Sequence, residues 1–208
     1  MIPTTILSDD TSLGSTPSKT KKQLLDTGYQ LLANKGFTAV GIKQILDTAG
    51  IPKGSFYHYF ASKEAFGEAI ITDYFIHYKK RLDIIAAQDV SAQQKLYDYF
   101  QKWYDTQQNV CNHEKCLVVK LSAEVADMSE SMRQALDAGY QQTITWLSTQ
   151  IKAGWADGSV PYTDNIAAES IAKRWYFSWI GASLITKISL TSTPLAEVWQ
   201  MTTTEMGR

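Results

Sequence analysis

The side chains with the greatest chemical reactivity in this sequence are two cysteines, Cys111 and Cys116. A cysteine reacts as its thiolate, and its pKa falls at the start of a helix or beside a lysine. Cys116 stands at the predicted start of a helix, next to Lys115 and about one helical turn before Lys120. These neighbours favour a reactive thiol. The simpler interpretation is that Cys116 is a small, buried apolar residue.

Two other kinds of chemistry involve the same part of the sequence. Cys111, His113 and Cys116 are soft ligands that could hold zinc or copper, but their spacing is not a standard zinc pattern. Lys187 lies within an apolar run. It either extends to water or lies near Cys116, where it would lower the thiol pKa or capture an oxidised sulfur. We predict no metal and no cofactor, and we treat Cys116 and Lys187 as candidate sensor residues.

Positive charge is concentrated in the N-terminal third of the chain. Residues 19–63 contain seven lysines and two aspartates, a net charge of +5, whereas residues 64–208 carry −4. A basic segment on an acidic body is expected where one end of a protein meets a polyanion. The charge pattern therefore indicates a nucleic-acid contact within residues 19–63, although a solvated lysine-rich surface would give the same pattern.

Hydrophobic periodicity places these side chains on helices. The spacing predicts one helix that starts near Ser18 and ends at Gly36, a second over residues 42–49 and a third over 53–60. The glycine and proline of residues 50–52 separate the second helix from the third, which is a helix-turn-helix pattern. Further helices are predicted over 63–82, 92–107, 116–125, 130–154 and 165–188, and from residue 194. Because no strand alternation is found, we predict an all-α protein.

The third predicted helix has an apolar face and a polar face. Phe56 and Phe60 would pack it onto the second helix. The outward face would enter the major groove with its N-terminus first, while tyrosine and lysine side chains bind phosphate oxygens. The alternative is that all of these aromatic rings belong to the core. The predicted DNA contacts are Lys53, Gly54, Ser55, Tyr57, His58, Tyr59 and Lys63.

The run from Gly50 to Phe66, GIPKGSFYHYFASKEAF, resembles the helix-turn-helix signature of the TetR family. The tripeptide at 36–38 resembles the link between the first two helices of that family. This resemblance implies a homodimeric DNA-binding repressor and adds Lys43 as a DNA contact. We predict three segments: a disordered lead (1–18), a three-helix helix-turn-helix domain (19–63), and a helical regulatory and dimerisation domain (64–208).

Parts of the body resemble the NemR-like branch of that family. They are KCLVVKLSAEV at 115–125, MSESMR at 128–133, WIGASL at 179–184 and KIS at 187–189. Members of this branch respond to electrophiles and oxidants through a cysteine at the position of Cys116. The resemblance implies a repressor that leaves its operator when Cys116 reacts, and it does not extend to Cys111. The alternative is a TetR-type repressor that is released by reversible binding of a small apolar ligand.

The expected partners are a palindromic DNA operator, a second copy of the chain and a small molecule (an electrophile, an oxidant or an apolar ligand). Aromatic side chains of the body could line a pocket or could be plain core: Tyr97, Phe100, Trp103, Tyr104, Tyr140 and Trp146. The dimer interface is predicted to use the large apolar side chains and the small residues of the next-to-last helix: Trp175, Trp179, Ile180, Gly181 and Ala182.

Several classes of protein do not fit this sequence. It contains no glycine-rich phosphate loop, no HExxH motif and no nucleophile elbow, so we do not expect an enzyme. No apolar stretch reaches the roughly 18 residues that a membrane span requires. The N-terminus does not resemble a signal peptide, and we expect a cytoplasmic protein.

Overall fold

The computed structural model describes residues 18–108, 117–125 and 127–208, and within these ranges it contains nine α-helices and no strand. The predicted all-α fold is confirmed. The predicted lead (apart from Ser18), His113 and both cysteines lie outside the described residues. The helices are α1 (Lys19–Lys35), α2 (Ile42–Ala49), α3 (Lys53–Tyr59), α4 (Lys63–Ala86), α5 (Ala92–Gln108), α6 (Leu117–Val125), α7 (Glu130–Asp157), α8 (Ala168–Ser189) and α9 (Thr193–Glu205).

Local capping residues set most of the helix boundaries. The hydroxyl of Ser18 accepts a hydrogen bond from the Lys21 amide at 3.2 Å, and α1 begins there. Ser62 caps α4 in the same way through the amide of Ala65, at 3.1 Å. α2 ends at Gly50, which has the left-handed conformation (φ 64°, ψ 32°) that glycine adopts without strain. These caps explain why the boundaries could be read from the sequence.

Three predicted boundaries were wrong. α4 was predicted to end at residue 82 but continues to Ala86. α7 continues past Gly154 to Asp157 and ends at Gly158, which has φ 74°. Position 154 has no room for a side chain because the chain folds back over it. A Cβ atom there would lie 2.4 Å from Val160 Cγ2. α8 begins at Ala168, three residues later than predicted, because Asn165 has a positive φ of 62° that a helix cannot include.

The apolar side chains form two cores that group the helices differently from their order in the chain. The first core joins α1–α3 to α6 and to the N-terminal parts of α4 and α7. The second core joins α5, α8 and α9 to the rest of α7. α6 therefore packs with the DNA-binding helices, although 57 residues separate Leu117 from Phe60 in the sequence. The predicted domain boundary between residues 63 and 64 stays a prediction.

None of the described helices is both long enough and apolar enough to cross a bilayer.

Candidate nucleic-acid interface and sensing site

The orientation of α3 is set by Phe56. This ring is completely buried (0% exposed) and packs against Phe60 and Phe66, with ring centroids 5.4 and 5.2 Å away. Fixing that face inward leaves the opposite side of the helix in solvent. The exposed residues of α3 are Lys53, Gly54, Tyr57 and His58, whereas Ser55 and Tyr59 are half-buried.

The first turn of α3 presents both charge and open backbone. No heavy atom lies within 4 Å of the position that a Cβ atom would occupy at Gly54, so packing within the protein does not require glycine there. The ammonium of Lys53 lies 5.9 Å from the centre of the Tyr57 ring, and Tyr57 is 49% exposed. This turn can therefore approach a phosphate backbone or the edges of bases closely, which is the geometry of a recognition helix.

Tyr59 and His58 have different environments at the other end of α3. The hydroxyl of Tyr59 accepts a hydrogen bond from Ser18 Oγ at 2.8 Å, which ties α3 to the start of α1. The His58 ring is exposed and meets the Tyr59 ring edge-on at 4.8 Å. Tyr59 therefore helps to position the recognition helix, while His58 lies at its surface.

The two remaining predicted lysines are placed very differently. Lys43 is exposed and forms an ion pair with Asp47 at 2.6 Å, and this hydrogen bond raises the pKa of Lys43. An exposed pair of this kind is weak, so phosphate can compete for the ammonium. Lys63, in contrast, turns inward: its Nζ donates to the carbonyl of Phe37 at 2.7 Å and lies 4.3 Å from that ring. Burial lowers the pKa of Lys63. The predicted phosphate contact of Lys63 stays a prediction.

A side chain that the sequence did not single out as functional holds the same turn from the other side. Glu124 of α6 accepts hydrogen bonds from the amides of Phe37 at 2.8 Å and Thr38 at 2.5 Å. Its partners are 87 and 86 residues away in the sequence, so no local pattern could have identified this contact.

The body contains a cavity of about 290 Å³ beside α4, α5 and α8. Seven of its sixteen lining residues are aromatic, and they include Tyr29 from α1, which stacks on Tyr74 with ring centroids 5.9 Å apart. The hydroxyls of Tyr78 and Tyr99 are 2.9 Å apart at this cavity, and the Arg81 guanidinium lies 5.1 Å from the Tyr78 ring. An apolar or aromatic small molecule fits such a lining.

Of the six predicted pocket residues, Trp103 lines this cavity. Trp146 lines a second cavity, of about 410 Å³, between α4 and α7. The other four do not line either of these two cavities, and their role in a ligand pocket stays a prediction. Phe100 packs between two tryptophans of α8, Tyr97 and Tyr104 pack on Trp199, and Tyr140 stacks on Tyr176.

The predicted interface on α8 also needs correction. Trp175 and Trp179 are 1% and 0% exposed, and their indole nitrogens donate to Glu205 and Thr202 of α9. They belong to the core of the protomer and offer no area to a partner. Ile180 and Ala182 are half-buried, while Gly181 is exposed. The outer face of α8 is formed by one continuous stripe: Phe177, Gly181, Leu184, Ile185 and Ile188.

The sensor and metal predictions fall largely outside the described residues. Lys187 is exposed near the end of α8, but Cys116 is not described, so their pairing stays a prediction. The same holds for Cys111, His113 and Cys116 as metal ligands. In the ranges that the structure describes, no three His, Cys, Asp or Glu side chains are grouped as metal ligands.

Comparison with known families gives two matches that together span most of the chain. Residues 24–70 match the model of the bacterial regulatory proteins of the tetR family, and residues 92–202 match a tetracyclin repressor-like C-terminal domain. Both matches agree with the helix-turn-helix and the helical body described above.

Individual relatives are transcriptional repressors. The chain is 39% identical over 184 residues to the HTH-type transcriptional repressor NemR of Escherichia coli (strain K12), covering 86% of this chain and 90% of NemR. It is 27% identical over 176 residues to the repressor DhaR of Mycobacterium sp. (strain GP1), covering 84% and 86% of the two chains. The crystal structure of the reduced form of E. coli NemR superposes with a TM-score of 0.82 at 37% identity, covering 88% of this chain and 94% of that one. The chain belongs to the TetR family and is a DNA-binding transcriptional repressor.

Proposed function

We propose that this protein is a homodimeric repressor that leaves its operator when an electrophile or an oxidant modifies Cys116. The observation that carries the proposal is the extended similarity to NemR, whose crystal structure is described as a reduced form. Cys116 immediately precedes α6, which begins at Leu117 and packs in the same core as α1–α3. A change at Cys116 would therefore act on a helix that contacts the DNA-binding domain.

The proposed operator is a palindrome that is read by two copies of α3. A symmetric dimer places two recognition helices on successive turns of DNA, so each half-site is contacted in the same way. We propose that the stripe on α8 forms the dimer interface, because apolar surface that is continuous on one helix face marks an interaction site. The proposed place of action is the cytoplasm, where bacterial DNA lies.

A second mode of release is supported by the aromatic cavity in the body. A reversible ligand could fill the cavity of about 290 Å³ and press on Tyr74, whose ring stacks on Tyr29 of α1. This route would need no cysteine. It is the alternative to covalent sensing and makes a different prediction for a cysteine variant.

We expect Cys116→Ser to separate the two modes. The purified protein selects its operator from a random DNA library, and binding is followed by fluorescence anisotropy before and after treatment with N-ethylmaleimide. The thiolate of Cys116 adds to the maleimide double bond, a carbon–sulfur bond forms, and the resulting enolate takes a proton from water. Treatment should lower the operator affinity of the wild type by about tenfold or more, and it should leave the affinity of Cys116→Ser unchanged.

Cys111→Ser is the matched control, because it removes the other thiol and should still be released. Mass spectrometry of each sample identifies the alkylated residue. Release of Cys116→Ser to the same extent as the wild type would contradict covalent sensing at this residue. If the wild type, Cys116→Ser and Cys111→Ser all remain bound after treatment, release by a reversible ligand of the cavity is favoured.

A further inference from the structure

The turn between α1 and α2, at residues 36–41, is held by two charged side chains from later helices, α4 and α6. Glu124 on α6 accepts the amides of Phe37 at 2.8 Å and Thr38 at 2.5 Å. Lys63, at the start of α4, donates to the carbonyl of Phe37 at 2.7 Å. Both polar backbone groups of Phe37 are thus bound by ionisable side chains. We call Glu124 and its two backbone donors the Glu124 clamp.

The shape of the turn is adapted to this carboxylate. Gly36 has φ +88°, a conformation that favours glycine, and a Cβ atom there would lie 2.6 Å from Glu124 Oε2 and displace the carboxylate. The Phe37 ring is 1% exposed and packs over Gly67 of α4, where an added Cβ atom would be 2.8 Å from it. The turn is therefore fixed in position relative to α4 and α6.

Charge makes the Glu124 clamp stronger than an ordinary pair of hydrogen bonds. Burial by itself would raise the pKa of Glu124, but the hydrogen bonds from Thr38 and Phe37 outweigh it and leave the pKa below its usual value. The side chain is accordingly a carboxylate at neutral pH. Hydrogen bonds to an ionised acceptor are roughly twice as strong as those between neutral groups.

The helix that carries this carboxylate, α6, packs against the DNA-binding domain along its length. Leu117, Leu121 and Val125 are each 0% exposed and lie in the core shared with α1–α3. Glu124 is eight residues after Cys116, near the opposite end of α6. A shift of α6 would move the carboxylate and the turn together, because packed helices move as units rather than deform.

The turn leads directly into α2, which positions the recognition helix. α2 begins at Ile42, and its Ile45 and Leu46 are buried in the core that also holds Phe56 of α3. We infer that Glu124 is a positioning residue that couples the segment containing Cys116 to α3 through the turn at residues 36–41. This inference rests on the proposed function for the origin of the signal, and on the described contacts for its route.

The test compares Glu124→Gln with Glu130→Gln. A glutamine can accept one amide through its oxygen, but its NH₂ group cannot accept the other, so the Glu124 clamp is broken without loss of bulk. Glu130 loses the same charge, but it is exposed on α7 and is bound to Arg133, three residues away, at 2.6 Å. Operator affinity is measured for each protein before and after N-ethylmaleimide, with the alkylation of Cys116 quantified by mass spectrometry.

For each protein we take the ratio of operator affinity before N-ethylmaleimide to operator affinity after it. We expect this ratio in Glu130→Gln to equal that of the wild type. In Glu124→Gln the ratio should be smaller by roughly fivefold or more at equal alkylation, because the coupling free energy passes through the broken clamp. A ratio within about twofold of the wild type would overturn the inference.

A second measurement needs no electrophile, so it separates failure of this inference from failure of the proposed function. Amide hydrogen exchange of α6 is followed with and without the selected operator duplex. Coupling predicts that DNA slows exchange in α6 of the wild type and of Glu130→Gln, and slows it less in Glu124→Gln. If the maleimide does not release the wild type, the covalent proposal fails and exchange alone decides. Equal protection in all three proteins, or no protection in the wild type, would overturn the role of Glu124.

Discussion

Neighbouring residues of α3 have opposite roles because a helix turns by about 100° per residue. Phe56 is completely buried, while Tyr57 beside it is 49% exposed. The same turn brings the ammonium of Lys53 to 5.9 Å from the Tyr57 ring, so that a cation and an aromatic hydroxyl share one face. That combination suits a phosphate oxygen, which accepts hydrogen bonds from both groups.

We expect Lys53→Gln to weaken operator binding in a salt-dependent manner. Losing one phosphate contact should reduce the slope of log affinity against log salt by about 1. Lys152→Gln is the control, because Lys152 is equally exposed but lies on α7 in the body. Affinity is measured at several salt concentrations. Equal slopes for the two variants would show that Lys53 does not contact the DNA.

α4 is one of two helices, with α7, whose buried side chains belong to both cores. Phe66 near its N-terminus is in the first core, and Leu82 near its C-terminus is in the second. Between them, Phe75 packs against α7 at Gly139, where a Cβ atom would lie 2.1 Å from the ring. α4 and α7 therefore approach each other closely at this glycine, which helps to hold the DNA-binding half against the body.

We expect Gly139→Ala to destabilise the protein, because the added methyl group overlaps the Phe75 ring. Overpacking of this kind typically costs about 1–3 kcal/mol of unfolding free energy. Gly54→Ala is the comparison: its site is open, and alanine favours the helix by up to ~1 kcal/mol. Urea denaturation measures both changes.

Gly54→Ala, the variant of this pair that should keep its stability, should be the one that loses operator affinity. Gly54→Ala places a methyl group where the first turn of α3 would meet the DNA, so operator affinity should fall although stability does not. An unchanged affinity for Gly54→Ala would argue against close approach of this turn. An unchanged stability for Gly139→Ala would mean that α4 and α7 can separate at little cost.

At the scale of the whole molecule, the described helices leave an apolar surface on α8 uncovered. The side chains of this stripe are 54% (Phe177), 47% (Leu184), 48% (Ile185) and 69% (Ile188) exposed. They lie on one side of α8, opposite the buried indoles of Trp175 and Trp179, and exposed Gly181 lies among them. Covering such a stripe with the same stripe of a second copy would give the symmetric dimer that a palindromic operator requires.

We expect Ile188→Glu to weaken dimerisation, because it would bury a like charge from each protomer at the interface. Sedimentation equilibrium should show a larger fraction of monomer, and operator affinity should fall with it. Ile76→Glu is the matched control, since Ile76 is 50% exposed on α4, away from the stripe. A dimer of unchanged stability in Ile188→Glu would place the interface elsewhere.

The amino-acid sequence by itself determined the helices and the orientation of α3, because the signals for both are local. Ser18, Gly50 and Ser62 act on amides or carbonyls within a few residues, and the helix ends that they cap are where the sequence predicted them. Phe56 and Phe60 are buried as their spacing of one helical turn predicts. The TetR-family signature lies in the same segment, so family and fold could be recognised together.

Tertiary structure alone decided which groups meet across the chain. Spacing showed that α8 is apolar, but not that α9 covers Trp175 and Trp179 and leaves the other face open. Lys63 was predicted to face DNA, but the carbonyl of Phe37 is within its reach once α1 and α4 pack together. Glu124 gained its role in the same way. Hydrogen bonds between distant residues depend on where helices dock, and docking is set by the shape of the whole core rather than by neighbours in sequence.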